Sequence, residues 1–336
     1  MSGAGKRRRD AVSTGCLNGQ LDRRQLLTAA SAVAAAPGLF ASTARAQGSS
    51  AVHRFKVGAA EITVVSDGEM TLPMRFVLPG REPPEIEKLL GTAGQQTSAV
   101  TAQINVALIK IGDHLILVDT GGGTDFMPTL GKLPDRLEAA GVKPEQITKV
   151  IFTHAHADHL WGVIDPLSGA SMFETAQHLM TEAERDYWLR PGLETQLPEA
   201  FQMMAVGTQR RLKELAERIE TRAPGSEIAP GVALVDTPGH TPGHVSVLVR
   251  SGSEQLLIGG DALTHPSVSF AEPGWRWGPD MDPDRAIATR RMLLDRLATE
   301  RTLLLGYHLP WPGTGRVERV GVSYRFEPMP LALTRG

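Results

Sequence analysis

Short apolar runs, each bounded by glycine, proline or charge, recur along the chain. They predict strands at Glu61–Ser66, Asn105–Ile111, His114–Asp119, Lys149–Thr153, Ala176–Thr181, Val232–Asp236, Val245–Val249, Gln255–Gly259 and Thr302–Gly306. Apolar positions at helical spacing predict helices over Thr129–Ala140, Glu182–Trp188, Glu199–Glu220 and Pro283–Thr299, the last with Asp282 as N-cap and Pro283 at its first helical position. The stretch 79–100, sprinkled with Gly and Pro, reads as a loop, and no internal repeat interrupts the order. Strands lead and helices follow in each half, so residues 47–336 read as one α/β domain. A four-layer αββα sandwich fits that order, although periodicity alone does not select it over other α/β layouts.

The first 46 residues have a different pattern. The basic cluster Lys6, Arg7, Arg8, Arg9 is followed by Arg23-Arg24, an Ala-rich apolar run from Leu26 to Phe40, and the small-x-small site Ala44-Arg45-Ala46. This is the layout of a cleaved export signal of the twin-arginine type, and it predicts a periplasmic or secreted protein. The run is too short and too weakly apolar to stay in a bilayer, so no stable membrane anchor is expected after cleavage.

Removing residues 1–46 takes away seven of the 35 Lys/Arg and two of the 37 Asp/Glu, leaving 28 against 35, a formal net charge of −7. An acidic mature chain argues against a nucleic-acid partner. The single cysteine, Cys16, leaves with the signal, which excludes thiolate ligands and cysteine nucleophiles from the mature protein.

Candidate chemistry is concentrated where apolar runs end. Thr153-His154-Ala155-His156-Ala157-Asp158-His159 follows Val150–Phe152. Packing does not explain so many imidazole and carboxylate groups at the end of a buried strand, because unpaired they would cost several kcal/mol. Metal coordination uses them all, and a donor set of imidazole and carboxylate suits zinc as well as iron, manganese or cobalt. Further ligand-capable residues lie beside glycines at other run ends: His240 and His244 in Thr237-Pro238-Gly239-His240-Thr241-Pro242-Gly243-His244, Asp261 after Gly260, and His308 after Gly306-Tyr307.

This succession resembles the metallo-beta-lactamase superfamily over about residues 55–328. The resemblance implies the αββα sandwich and two divalent metal ions per chain, with zinc first in line. It places His154, His156 and His244 on one metal, Asp158, His159 and His308 on the other, and Asp261 between them. His240 matches a turn histidine behind the ligands, and Asp119, in Val118-Asp119-Thr120-Gly121, a supporting aspartate. A small-molecule substrate would be hydrolysed by a bridging hydroxide, generated at neutral pH by the metals and oriented by Asp158.

A narrower resemblance, to the methyl parathion hydrolase branch with its phosphotriesterase-like and lactonase-like members, rests on Phe126-Met127-Pro128-Thr129-Leu130-Gly131, Asp186-Tyr187-Trp188-Leu189 and His308-Leu309-Pro310-Trp311-Pro312-Gly313. It maps pocket aromatics onto Phe126 and Trp188, and it predicts hydrolysis of an ester, lactone or phosphotriester. Thr264–Pro279, with His265, Trp275 and Trp277, departs from that branch.

Around 165–230, between the histidine motifs, the superfamily places substrate-covering elements. There Phe201, Met203, Met204 and Val206 suit a lipophilic substrate or a homodimer contact. Trp188 also fits core packing, and the charged positions of Glu199–Glu220 read as a solvated face. His53, His114 and His178 stand outside any motif. β-Lactam hydrolysis is the alternative reaction, weakened by the lack of an evident Lys near His308. A di-iron redox protein would want Glu where His156 stands, and a purely structural metal role would leave the open site unused.

Overall fold

The structure, a computed structural model, describes residues 51–330. The proposed signal 1–46 and Cys16 lie outside the described residues. Two seven-stranded sheets carry the fold. The first runs β1 (Val52–Val57), β2 (Ala60–Pro73), β3 (Ala99–Ile111), β4 (His114–Val118), β5 (Lys149–Ile151), β6 (Gln177–Met180) and β7 (Ile219–Thr221), in that spatial order. The second is ordered β14 (Ser323–Pro328), β13 (Thr314–Val320), β12 (Leu303–Leu305), β11 (Glu254–Ile258), β10 (Val245–Ser251), β9 (Val232–Asp236) and β8 (Glu227–Ala229).

Both faces of the central strands are buried, which is why they read as continuous apolar runs. Ile62, Val64, Ala107, Ile109, Ile116 and Val118 meet Val245, Val247, Val249, Leu256 and Ile258 in one cluster between the sheets. The alternate residues face outward into separate clusters. Val106, Leu108 and Leu117 pack beneath the helical layer of the first half, and Leu248 and Leu257 beneath the long helix Pro283–Glu300, which supplies Leu293, Leu294 and Leu297. The result is the αββα sandwich. Asp282 caps Pro283–Glu300 by accepting the Arg285 amide hydrogen at 3.1 Å.

Several predicted boundaries shift. The predicted helix Glu199–Glu220 stops at Glu214, and Ile219–Thr221 instead pairs in parallel with β6 at the sheet edge. Residues 79–100 contain the helical turns Pro83–Ile86 and Glu87–Gly91 and the start of β3. The edge strands β1 and β14, and β13 beside β14, escaped prediction because each keeps a wet face and carries charge. Among the described residues no helix is long and apolar enough to cross a membrane.

Candidate metal centre

Every motif residue sits at one edge of the sandwich, in the connections that follow β4, β5, β9, β11 and β12. Asp119 follows β4 directly, in the left-handed region at φ 64°, an unusual conformation for a residue with a Cβ. Its carboxylate justifies it. Oδ1 accepts the Thr153 amide hydrogen at 2.8 Å, while Oδ2 accepts the Thr153 hydroxyl and lies 2.8 Å from His159 Nδ1. Asp119 thus fixes the turn out of β5 and aims His159 Nε2 inward.

Two donor groups result, His154–His156–His240–Asp261 and Asp158–His159–His308, each with its ligand atoms within 4.8 Å of one another and all buried. His154 Nε2, His159 Nε2, Asp158 Oδ2 and Asp261 Oδ1 are buried without a well-formed hydrogen bond. Asp261 faces both groups, with Oδ1 3.1 Å from His159 Nε2 and Oδ2 3.2 Å from both His240 Nε2 and His308 Nε2. His156 Nδ1 and His240 Nε2 point at each other across 2.9 Å, an arrangement that needs a proton or a cation between them.

Three ring nitrogens are held from behind: His159 Nδ1 by Asp119, His240 Nδ1 by Asp280 at 2.9 Å, and His308 Nδ1 by the Gln103 carbonyl oxygen at 2.8 Å. Such backing fixes which nitrogen is free to bind metal. The donor chemistry and the unsatisfied atoms fit a dinuclear metal centre.

Here the structure corrects the sequence reading of the Thr-Pro-Gly-His repeat. His240 occupies the donor cluster, whereas both nitrogens of His244 are already committed. His244 Nε2 accepts the Asp261 amide hydrogen at 2.9 Å, and Nδ1 lies 2.9 Å from both the carbonyl and the hydroxyl oxygen of Thr237. His244 therefore anchors the main chain of Asp261 and has no lone pair left for a metal.

Electrostatics follow the same division. Burial disfavours charge on each imidazole of the site. For His308 and His240 the Asp261 carboxylate, joined by Asp158 and Asp280 respectively, outweighs it and holds them up at about 10 and about 9. His244 is pushed down to about 3 by burial and by the neighbouring His240. Burial opposes the charge of Asp261 too, yet the surrounding histidines hold it well below the usual carboxylate range. Carboxylates that raise their imidazoles in this way define a cavity demanding positive charge, which bound cations satisfy.

The pocket above is apolar. Met70, Leu72, Phe76, Ala102, Phe126, Phe201, Met204, Trp277 and Pro279 wall it, with Thr264 beside the His156, Asp158, Asp261 and His308 floor. Phe126 lies on that wall, but Trp188 does not. Trp188 is fully buried behind His156, with ring centroids 5.7 Å apart, and its indole N–H donates to Glu184 at 2.7 Å. An aromatic with a buried partner for its N–H belongs to the core.

His265 is turned away to accept the Ser267 and Val268 amide hydrogens, and Trp275 stacks under the Arg81 guanidinium. Within 165–230 only Phe201 and Met204 reach the pocket wall, and β6 and β7 belong to the sheet.

Sequence reasoning missed two buried acids. Asp280 backs His240. Glu184 accepts the amide hydrogens of Ala155 and Gly243, the Thr241 hydroxyl and the Trp188 indole N–H. Glu184 lies one turn before Trp188 in a capped helix, and neither acid stands in a motif, so only the tertiary contacts reveal them.

Fold and donor set together define a metal-dependent hydrolase. The metallo-beta-lactamase superfamily model matches residues 100–308, more than half of the chain, and the protein belongs to that superfamily. A probable metallo-hydrolase of Mycobacterium tuberculosis is 27% identical over 223 residues, 59% of this chain and 69% of that protein. N-acyl homoserine lactonase AiiB of Agrobacterium fabrum is 24% identical over 61% of this chain and 79% of its own length. Among solved structures, AidC, a dizinc quorum-quenching lactonase, matches with TM-score 0.79 and 26% identity, covering 84% of this chain and 100% of its own. The hydrolase AbOPH matches with TM-score 0.78 and 27% identity over 84% and 99%.

Proposed function

We propose that this chain is a binuclear zinc hydrolase acting on neutral lactones, esters or phosphotriesters, of the lactonase and organophosphate-hydrolase type. The observation that carries the reading is the pairing of two buried donor groups with an apolar pocket wall that contains no Lys or Arg. A wall without a cation suits an uncharged substrate with an apolar arm, and it disfavours a β-lactam carboxylate. The likeness to AidC and AiiB supports the lactone, and the segments around Phe126 and His308 support the methyl parathion hydrolase branch.

In this reading His154, His156 and His240 hold one ion, Asp158, His159 and His308 hold the other, and Asp261 serves both. Two divalent ions bound there supply Lewis acidity and activate water near neutral pH. The chain does the rest. Asp158 presents a buried carboxylate at the pocket floor and orients the attacking water. Phe126, Phe201, Met204 and Trp277 exclude bulk water and take the apolar arm. Residues 1–46 deliver the protein to the periplasm, and Met203 and Val206, exposed beside the wall, are available to a second copy.

The test is hydrolysis by the mature chain, reconstituted separately with zinc, manganese and cobalt, across acyl-homoserine lactones, aryl esters, phosphotriesters and a β-lactam. Turnover of lactones or phosphotriesters that EDTA abolishes is expected. A β-lactam turned over faster than every lactone would overturn the substrate class.

A further inference from the structure

The segment between the short helix Val268–Ala271 and the long helix Pro283–Glu300 has two tasks. It contributes Trp277 to the pocket wall, and it places Asp280 behind His240. Asp280 Oδ2 in turn accepts a hydrogen bond from Arg290 Nη2 at 2.9 Å, and both side chains are almost wholly buried, at 1% and 3% exposure. The other arm of Arg290, Nη1, donates to the carbonyl oxygens of Pro273 at 3.2 Å and Trp275 at 2.9 Å. The strap is closed onto the histidine turn by the amides of Met281 and Asp282, which donate to the carbonyl oxygens of His240 and Gly239, and by the Thr289 hydroxyl, which donates to that of Pro238.

A buried ion pair is a poor way to gain stability, because desolvating both charges can exceed their attraction. This pair has a geometric use instead. An imidazole offers Nε2 to a metal only when its proton sits on Nδ1, and a carboxylate held against Nδ1 selects that tautomer. Arg290 holds the carboxylate in place and with the same guanidinium ties down the backbone leading to Trp277.

We infer that Asp280, clamped by Arg290, is a positioning residue that keeps His240 an Nε2 donor. The same clamp fixes the Trp277 wall, so one ion pair sets both the affinity of one metal position and the outline of the pocket. This inference rests on the binuclear reading.

Asp280→Asn is the sharp test. Its amide oxygen will turn to Arg290, leaving the NH2 against His240 Nδ1 and driving the proton onto Nε2. Zinc competition against a chromophoric chelator is expected to show one of the two ions weakened about 10- to 100-fold, with the other unchanged. Nitrogen-15 spectra of the metal-free protein at alkaline pH, where His240 is neutral, should show its tautomer reversed. Arg290→Lys keeps the charge but loses the fork; saturated with zinc, it should raise KM for a long-chain lactone more than it lowers kcat.

Two ions bound at wild-type affinity by Asp280→Asn, or both weakened equally, would overturn the inference whatever happens to Tm. If Asp280→Asn does not fold, Arg290→Lys decides by the same chelator assay. If the wild type binds one ion only, the binuclear reading fails. The inference then stands if Asp280→Asn weakens that ion and falls if it does not.

Discussion

Replacing Glu184 by glutamine is expected to destabilise the metal-free protein by about 2–4 kcal/mol, and the number can be built from its surroundings. Oε1 accepts from the Ala155 amide at 2.9 Å and the Trp188 indole at 2.7 Å; Oε2 accepts from the Thr241 hydroxyl at 2.7 Å and the Gly243 amide at 3.0 Å. A glutamine keeps one acceptor oxygen. Its NH2 must face either Ala155 and Trp188, which can only donate, or Thr241 and Gly243, where the hydroxyl can reverse and accept. The second choice is the cheaper one. It leaves a single orphan, the Gly243 amide, at about 1–3 kcal/mol, and it weakens the charge-assisted bonds to Ala155 and Trp188 by about 1 kcal/mol each.

Relief from burying a carboxylate, which raises the pKa of Glu184, offsets part of that loss. Relaxation is blocked, because Gly243 is packed against the backbone nitrogen of Glu184. Urea unfolding of the EDTA-treated wild type and Glu184→Gln at pH 7.5 measures the difference. A change below about 0.5 kcal/mol, the range of ordinary surface substitutions, would refute the claim that Glu184 ties the His154–His156 loop to the His240–His244 turn.

Three further outcomes are expected. His240→Ala should retain one metal ion fewer per chain after dialysis, by elemental analysis, whereas His244→Gln should keep the wild-type ion count and lower only the unfolding midpoint; the reverse pattern would restore His244 as ligand. Phe201→Ala, which removes part of the wall, should raise KM for a long-chain lactone about tenfold, equivalent to about 1.4 kcal/mol of lost apolar contact, and a short-chain substrate should barely notice. Burial and the nearby Arg218 lower His178 to about 4, so the fold prefers its neutral form. Its contribution is complete above about pH 6.5 and is lost as pH falls toward 4, so wild-type stability should drop about 2 kcal/mol more than that of His178→Phe between pH 7 and 4.5. Parallel urea midpoints for the two proteins would show that His178 is not the group responsible.

Much of the fold and site was legible because the relevant signals are local. The strands of the two sheet centres are apolar on both faces, and His154, His156, Asp158 and His159 are held together by sequence itself. The two histidines of the Thr-Pro-Gly-His repeat carry the same local signal, however, so the sequence could not say which ring reaches the cluster. That is settled by distant partners: Asp280 receives His240, while Thr237 and the Asp261 amide saturate His244. Trp188 was ambiguous because an apolar helical position looks alike whether it faces core or cavity, and only the Glu184 contact decides it. Three-residue strands such as β7 and β8 are too short to leave a period.

The donor groups and the pocket wall have different origins. His154, Asp158, Asp261 and His308 leave strands pinned in the shared core, whereas Phe76, Phe126, Phe201 and Trp277 belong to four separate connecting segments. The segment carrying Phe76, Phe126 or Phe201 can be lengthened, shortened or exchanged while the strands behind the donor groups stay where they are; the Trp277 segment also carries Asp280, which backs His240, so a change there reaches the donor set as well. Selection can therefore retune which molecules enter this protein one loop at a time through the first three, with the donor groups inherited intact.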